Sequence, residues 1–169
     1  MADLHVSWDD YHADIERLAA KVHASGWAFN QVICLARGGL RVGDVLSRIF
    51  RQPLAILSTQ SYSGEAGTVR GQITVAEHMT MTTPALGDRV LLVDDLVDSG
   101  ITLGVVRDAL SARYPHIREV RTAVIWEKAC SAFKPDYVAR FLADDPWIHQ
   151  PFEPYDLMDP ATLVSRLGA

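Results

Sequence analysis

The apolar run Arg89-Val90-Leu91-Leu92-Val93 leads straight into Asp94-Asp95-Leu96-Val97-Asp98, then into Ser99-Gly100-Ile101-Thr102, where helical spacing begins. A strand, a tight turn and a helix in that order form the basic unit of an α/β fold with a mainly parallel sheet. In such folds ligands sit at the carboxyl ends of the strands. The chemistry at this strand end is pointed. Two like charges 4 Å apart repel by about 4 kcal/mol at an effective dielectric near 20. Three aspartates within five residues therefore call for an outside partner: a cation, sugar hydroxyls or a shared proton. The turn beyond them offers the opposite: small residues, backbone N–H groups and a hydroxyl at a helix start, where phosphate binds. The simplest ligand that satisfies both halves is a sugar phosphate.

The rest of the chain supports the same architecture. Ser7 reads as the N-cap of a helix whose apolar positions Tyr11, Ile15, Leu18, Ala19 and Val22 recur at helical spacing up to Ser25-Gly26. Gln31 to Ala36 reads as a strand that breaks at Arg37-Gly38-Gly39, followed by a helix from about Leu40 to Phe50 and a strand from Leu54 to Thr59. Between Ser61 and Pro84, Gly64, Gly67 and Gly71 predict a mobile loop, with weak strand signals near 73–75 and 78–82. Then follow a strand from Arg89 to Val93, a helix from Ile101 to Tyr114, strands at Val120 to Trp126 and Tyr137 to Phe141, and a short helix from Pro160 to Leu167.

Composition narrows the class of partner. The 169 residues suit one domain, and 49% hydrophobic with 22% charged residues is ordinary for a globular chain. Apolar runs fall far short of the roughly 20 residues that span a bilayer, and the opening Met1-Ala2-Asp3-Leu4-His5 lacks signal-peptide regions. Neither integral membrane association nor secretion is expected. Cys34 and Cys130 show no metal-ligand spacing, which fits a reduced, cytoplasmic setting. The net charge of −5 and the lack of a basic stripe argue against nucleic acid. A receiver domain would open with its acid-bearing strand, whereas here the acid pair is central. Dinucleotide and P-loop readings lack their glycine motifs.

The thirteen residues from Val90 to Thr102 resemble the phosphoribosyl-pyrophosphate signature of the type I phosphoribosyltransferases. Four further segments are similar to the 6-oxopurine branch, which includes the bacterial xanthine-guanine enzymes: Ala36-Arg37-Gly38-Gly39-Leu40, Ser61-Tyr62, Lys128, and Trp147-Ile148-His149-Gln150-Pro151-Phe152. The likeness runs from about Trp8 to Glu153. It implies a type I phosphoribosyltransferase fold: a mainly parallel sheet flanked by helices, with a flexible loop and a small hood. One domain over 1–169 is expected, its hood drawn from the N-terminal segment and about 142–169.

The resemblance also implies roles. Asp94 and Asp95 would receive the ribose hydroxyls, directly or through magnesium. Asp98 would take or share the proton of purine nitrogen 7. Ser99, Gly100, Ile101 and Thr102 would cradle the 5-phosphate. Arg37, Gly38 and Gly39 would meet the pyrophosphate on a loop that often contains a non-proline cis peptide, and Arg70 would reach it from the flexible loop that begins at Ser61 and Tyr62. Lys128 would select a 6-oxo group, because an ammonium donates and cannot accept. Trp147 would stack on the base and the Ile148 carbonyl would accept from it. Glu127 is a candidate partner for Lys128. Phe152 stands where tryptophan is common and His149 replaces an acid, so guanine, xanthine and hypoxanthine stay open. The expected reaction joins a purine base to phosphoribosyl pyrophosphate with Mg2+, in a homo-oligomer, either dimer or tetramer. Two rival readings are a same-fold transferase acting on another base and a regulatory module that binds the donor without turnover.

Overall fold

A computed structural model describes residues 3–61 and 73–168. Its main sheet has the strand order β4-β3-β2-β6-β7-β8, with β5 also pairing β3. The strands are β2 (Gln31–Ala36), β3 (Leu54–Ser61), β4 (Ile73–Val75), β5 (Thr80–Met81), β6 (Arg89–Val97), β7 (Glu119–Lys128) and β8 (Tyr137–Leu142). The five central strands run parallel, and β4 and β5 add to β3 antiparallel.

Alternation along the central strands builds two cores. Val32, Cys34, Leu91, Val93, Ala123 and Ile125 face one side, with Tyr11, Ile15, Leu18 and Val22 of α1 (Trp8–Ala24) and Val42 and Leu46 of α2 (Leu40–Phe50). Their sequence neighbors Ile33, Leu35, Val90, Leu92 and Val124 face the other, with Leu103, Val106 and Leu110 of α3 (Ile101–Arg113). Successive strand residues point to opposite faces, so a strand apolar throughout must be covered twice.

The order 3-2-6-7 places a topological switch between β2 and β6. The chain leaves β2 through α2 toward β3 on one side, and leaves β6 through α3 toward β7 on the other. The two exit loops thus part over a shared crevice, the position where open α/β sheets bind ligands.

Three boundaries differ from the sequence expectation. β6 continues through Asp94 and Asp95 to Val97 because β7 is long enough to pair that extension, Asp94 with Val124 and Val97 with Glu127. Lys128 is therefore the last residue of β7 rather than a residue beyond it. Ser61 ends β3, its backbone paired with Ile73. A second, two-stranded sheet was not foreseen: β1 (Leu4–His5) lies parallel to β9 (Ile148–His149). A 3-10 turn at Glu153–Leu157 and α4 (Pro160–Leu167) complete the chain. No described helix is long and apolar enough to cross a membrane.

Candidate active site

The helices show where the chain leaves binding capacity unused. Helix α1 opens with a full capping box between Ser7 and Asp10 and has two acids in its first turn, and Asp159 caps α4. Helices α2 and α3 start at the switch crevice on Gly39 and Gly100, with neither a side-chain cap nor an acid in the first turn. The first N–H of each is met loosely within its own turn, Leu40 by the Arg37 carbonyl at 3.2 Å and Ile101 by Ser99 Oγ at 3.4 Å, and the partial positive charge of both helix starts faces the crevice.

The glycines there are required by contact. A Cβ on Gly38 would lie 2.5 Å from a carboxylate oxygen of Asp95, and one on Gly39 would lie 2.7 Å from the Val93 carbonyl oxygen. Gly100 has φ +82°, and a Cβ there would run into Phe133. The Ala36–Arg37 peptide is cis.

Asp94 and Asp95 stand side by side on β6, half-buried, and Asp94 Oδ1 accepts the Asp95 N–H at 2.9 Å. Burial, followed by the charge of Asp95, pushes the Asp94 carboxyl well above the ordinary aspartate value. Negative charge is crowded here without a cation among the described side chains to meet it directly. Asp95 Oδ2 does accept from the Gln150 side-chain amide at 2.6 Å, while Gln150 Oε1 is buried without a partner among the described residues.

The third aspartate has a different setting. Asp98 is 60% exposed in the turn after β6, and its Oδ2 is 3.3 Å from Nζ of Lys128, whose side chain is only 9% exposed. The Cys130 thiol lies 3.3 Å from Asp98 Oδ1. Glu127 pairs instead with Lys134 at 2.8 Å, so its expected pairing with Lys128 is corrected. Lys128 and Glu127 are consecutive on a strand and project to opposite faces.

Across the crevice, a cavity of about 530 Å3 is lined by Arg37, Gly38, Arg41, Phe152 and Asp156. Arg37 is 87% exposed and 3.5 Å from Asp156. Arg41 lies over the Phe152 ring at 4.4 Å, held where its guanidinium borders the cavity.

The segment around β9 is fixed through the backbone. Leu4 N–H donates to the Trp147 carbonyl at 2.8 Å and Val6 N–H to the His149 carbonyl at 3.0 Å. In a parallel ladder the intervening residue directs its carbonyl away from that partner, so Ile148 presents its own to the other side. Trp147 is 65% exposed.

Residues 7–157 match the family described as phosphoribosyl transferase domain. The chain belongs to the phosphoribosyltransferase family. It is 30% identical to the xanthine-guanine phosphoribosyltransferase of Gluconobacter oxydans (strain 621H), over 95% of this chain and 90% of that protein. A solved purine phosphoribosyltransferase from Pyrococcus horikoshii Ot3 aligns with a TM-score of 0.69 at 28% identity, covering 90% of this chain and 95% of that one. The Helicobacter pylori xanthine-guanine-hypoxanthine phosphoribosyltransferase shares the fold, with a TM-score of 0.71 at 23% identity over 97% and 98% of the two chains.

The phosphoribosyltransferase fold brings most of the anticipated residues to one crevice. Asp94, Asp95 and Asp98 with Ser99, Gly100 and Thr102 line one pocket, Gly38 abuts Asp95, and Lys128 meets Asp98. Tyr62 and Arg70 lie outside the described residues. Two neighbors of the site went unforeseen. Gln150 carries no charge to flag it, and Arg41 reads as an ordinary helix-surface arginine.

Proposed function

We propose that this phosphoribosyltransferase moves the 5-phosphoribosyl group of phosphoribosyl pyrophosphate onto a 6-oxopurine, giving the nucleoside 5-monophosphate and pyrophosphate. The observation that carries this reading is the switch crevice itself. Three aspartates meet two uncapped helix starts there, on glycine turns that leave no room for a Cβ.

In this reading the N–H groups and hydroxyls of Ser99 to Thr102 hold the 5-phosphate at the start of α3. Asp94 and Asp95 accept the ribose 2- and 3-hydroxyls, and Gln150 steadies Asp95. Arg37, Gly38, Gly39 and Arg41 border the departing pyrophosphate. The purine lies between Trp147 and the turn, its N–H groups toward the Ile148 carbonyl and its 6-oxo oxygen toward Lys128. As the base nitrogen bonds to the anomeric carbon, the bond from that carbon to pyrophosphate breaks, and Asp98 receives the proton released from the ring. Placement of donors and charges, rather than a covalent enzyme intermediate, carries the catalysis. Adenine offers Lys128 an amino donor in place of an acceptor, so the base would set donor against donor at an ammonium that Asp98 already faces.

The two carboxylates on β6 offer only oxygen donors, and burial beside Asp95 disfavors the charged form of Asp94, a cost that a hard cation such as Mg2+ would offset. Asp94 and Asp95 would hold it, directly or through water, and when bound it would offset the negative charge of pyrophosphate. The β1–β9 pair and the segment beyond β8 form the hood of a single domain in this reading. The protein is taken to be a cytoplasmic homo-oligomer, with exposed Tyr155, Leu157, Val164 and Leu167 as candidate contacts.

The test is spectrophotometric turnover of guanine, hypoxanthine, xanthine, adenine and uracil with the donor and Mg2+. The reading expects one or more 6-oxopurines to react and adenine and uracil to fail. Tight donor binding with no turnover of any base would make the protein a regulatory module instead.

A further inference from the structure

A second cluster of ligating groups lies on the small sheet, among residues that the transferase reading leaves unused. His5 and His149 are register partners in the parallel β1–β9 pair, so their side chains share a face. Their rings stack at 4.4 Å with 9° between planes. Asp3, two residues before His5, joins them: its Oδ2 is 3.1 Å from His149 Nε2. One ligand atom from each of the three lies within 4.8 Å of the others.

We propose that Asp3, His5 and His149 form a binding site for a transition-metal ion of the Zn2+ class. Two imidazoles and one carboxylate leave room for a fourth, water ligand on a tetrahedral ion. Mg2+ favors all-oxygen surroundings and is a poor match for this set. Tetrahedral bonds of about 2.0–2.1 Å place ligand atoms about 3.3 Å apart. Asp3 and His149 already meet that spacing. Stacked rings cannot both aim an in-plane lone pair at one ion, so exposed His5 must turn out of the stack to complete the set.

The second observation is on the far side of the ring. His149 Nδ1 is 3.4 Å from Glu153 Oε2. A carboxylate on Nδ1 holds a proton there, so a metal ion would take the place of the proton through which Nε2 now meets Asp3, the arrangement that supports ligating histidines generally. A cavity of about 410 Å3 lined by His5, His149 and Glu153 gives access from solvent. An ion at this point would tie β1 to the strand that directly follows Trp147.

The test is calorimetric titration of the full metal-stripped chain with Zn2+ alone, in buffer containing excess Mg2+, followed by the absorption spectrum with Co2+. One saturable equivalent per chain is expected, with Co2+ bands typical of low-coordinate nitrogen and oxygen ligation. His5→Ala and His149→Ala should each weaken Zn2+ at least tenfold while circular dichroism stays unchanged. Glu153→Gln should weaken it about 10–100-fold, the usual effect of losing such a support, and Cys130→Ser should leave it intact. Absence of Zn2+ binding, or binding unmoved by both histidine variants, overturns the proposal. Neither result bears on base turnover, which is measured separately.

Discussion

The two ends of strand β6 are built on opposite electrostatic plans. At its start, the carboxylates are satisfied by the chain itself. Asn30 donates to Asp88 at 2.8 Å, Arg118 lies 3.3 Å from the same carboxylate, and Glu119 accepts from the Trp27 indole at 2.8 Å and from Arg121 at 2.7 Å. These bonds hold the Asp88 and Glu119 carboxyls below their ordinary values, the Asn30 and Trp27 donors contributing most. A few residues along, burial and Asp95 drive Asp94 the other way. One end is finished by its own side chains. The other stays costly until something from outside arrives, as expected where binding rather than stability is served.

That contrast can be broken at several points. The largest effect is expected at the reacting end: Asp98→Asn should slow turnover by about 10²–10⁴-fold, the usual worth of a general acid–base group. Nucleotide affinity by calorimetry should stay within a few-fold, and near-normal turnover would remove Asp98 from the chemistry. Gly38→Ala adds a methyl where an Asp95 oxygen already lies 2.5 Å away. Overpacking of about 1–3 kcal/mol should raise the donor KM by about tenfold or more, and an unchanged KM would show that the loop does not need its close approach.

Asp94→Asn sharpens the comparison by separating stability from function. Because the folded pKa of Asp94 is raised, the native state holds its proton more tightly than the unfolded chain. Stability therefore falls as pH climbs from the unfolded value near 3.8 through the folded one. Removing the charge should raise Tm at neutral pH by about 2–4 °C, the shift that about 1 kcal/mol gives a chain of this size. Donor binding should weaken at the same time. A lower Tm in the variant would contradict the repulsion argument. At the finished end the sign reverses and the effect is smallest. The depressed Glu119 contributes stability above its unfolded value of 4.5, lost as pH falls through the folded value. Glu119→Gln should lower the urea midpoint slightly at pH 7, with the gap closing in acid and turnover unaffected.

What was legible in the sequence was local. The strand Gln31–Ala36, the N-cap at Ser7 and the α2 span from Leu40 to Phe50 all follow from short-range pattern and agree with the fold. So does the turn from β6 into α3, and with it most of the crevice. The missed features depend on partners distant in the chain. β1 and β9 have two residues each and no periodicity, and exist only because each supplies the other's ladder. The extension of β6 past Asp95 is set by the length of β7. The Gln150 contact to Asp95 depends on how the segment after β9 folds back over the crevice. The Lys128–Asp98 pair joins two loop-side strand ends that no sequence spacing relates.

The most direct measurement is a crystal structure of the protein with a purine nucleoside 5-monophosphate and Mg2+. The account predicts phosphate on the N–H groups from Ser99 to Thr102, ribose hydroxyls at Asp94 and Asp95, and the 6-oxo oxygen at Lys128. A nucleotide bound elsewhere, with the glycine turn vacant and the aspartates facing open solvent, would contradict it.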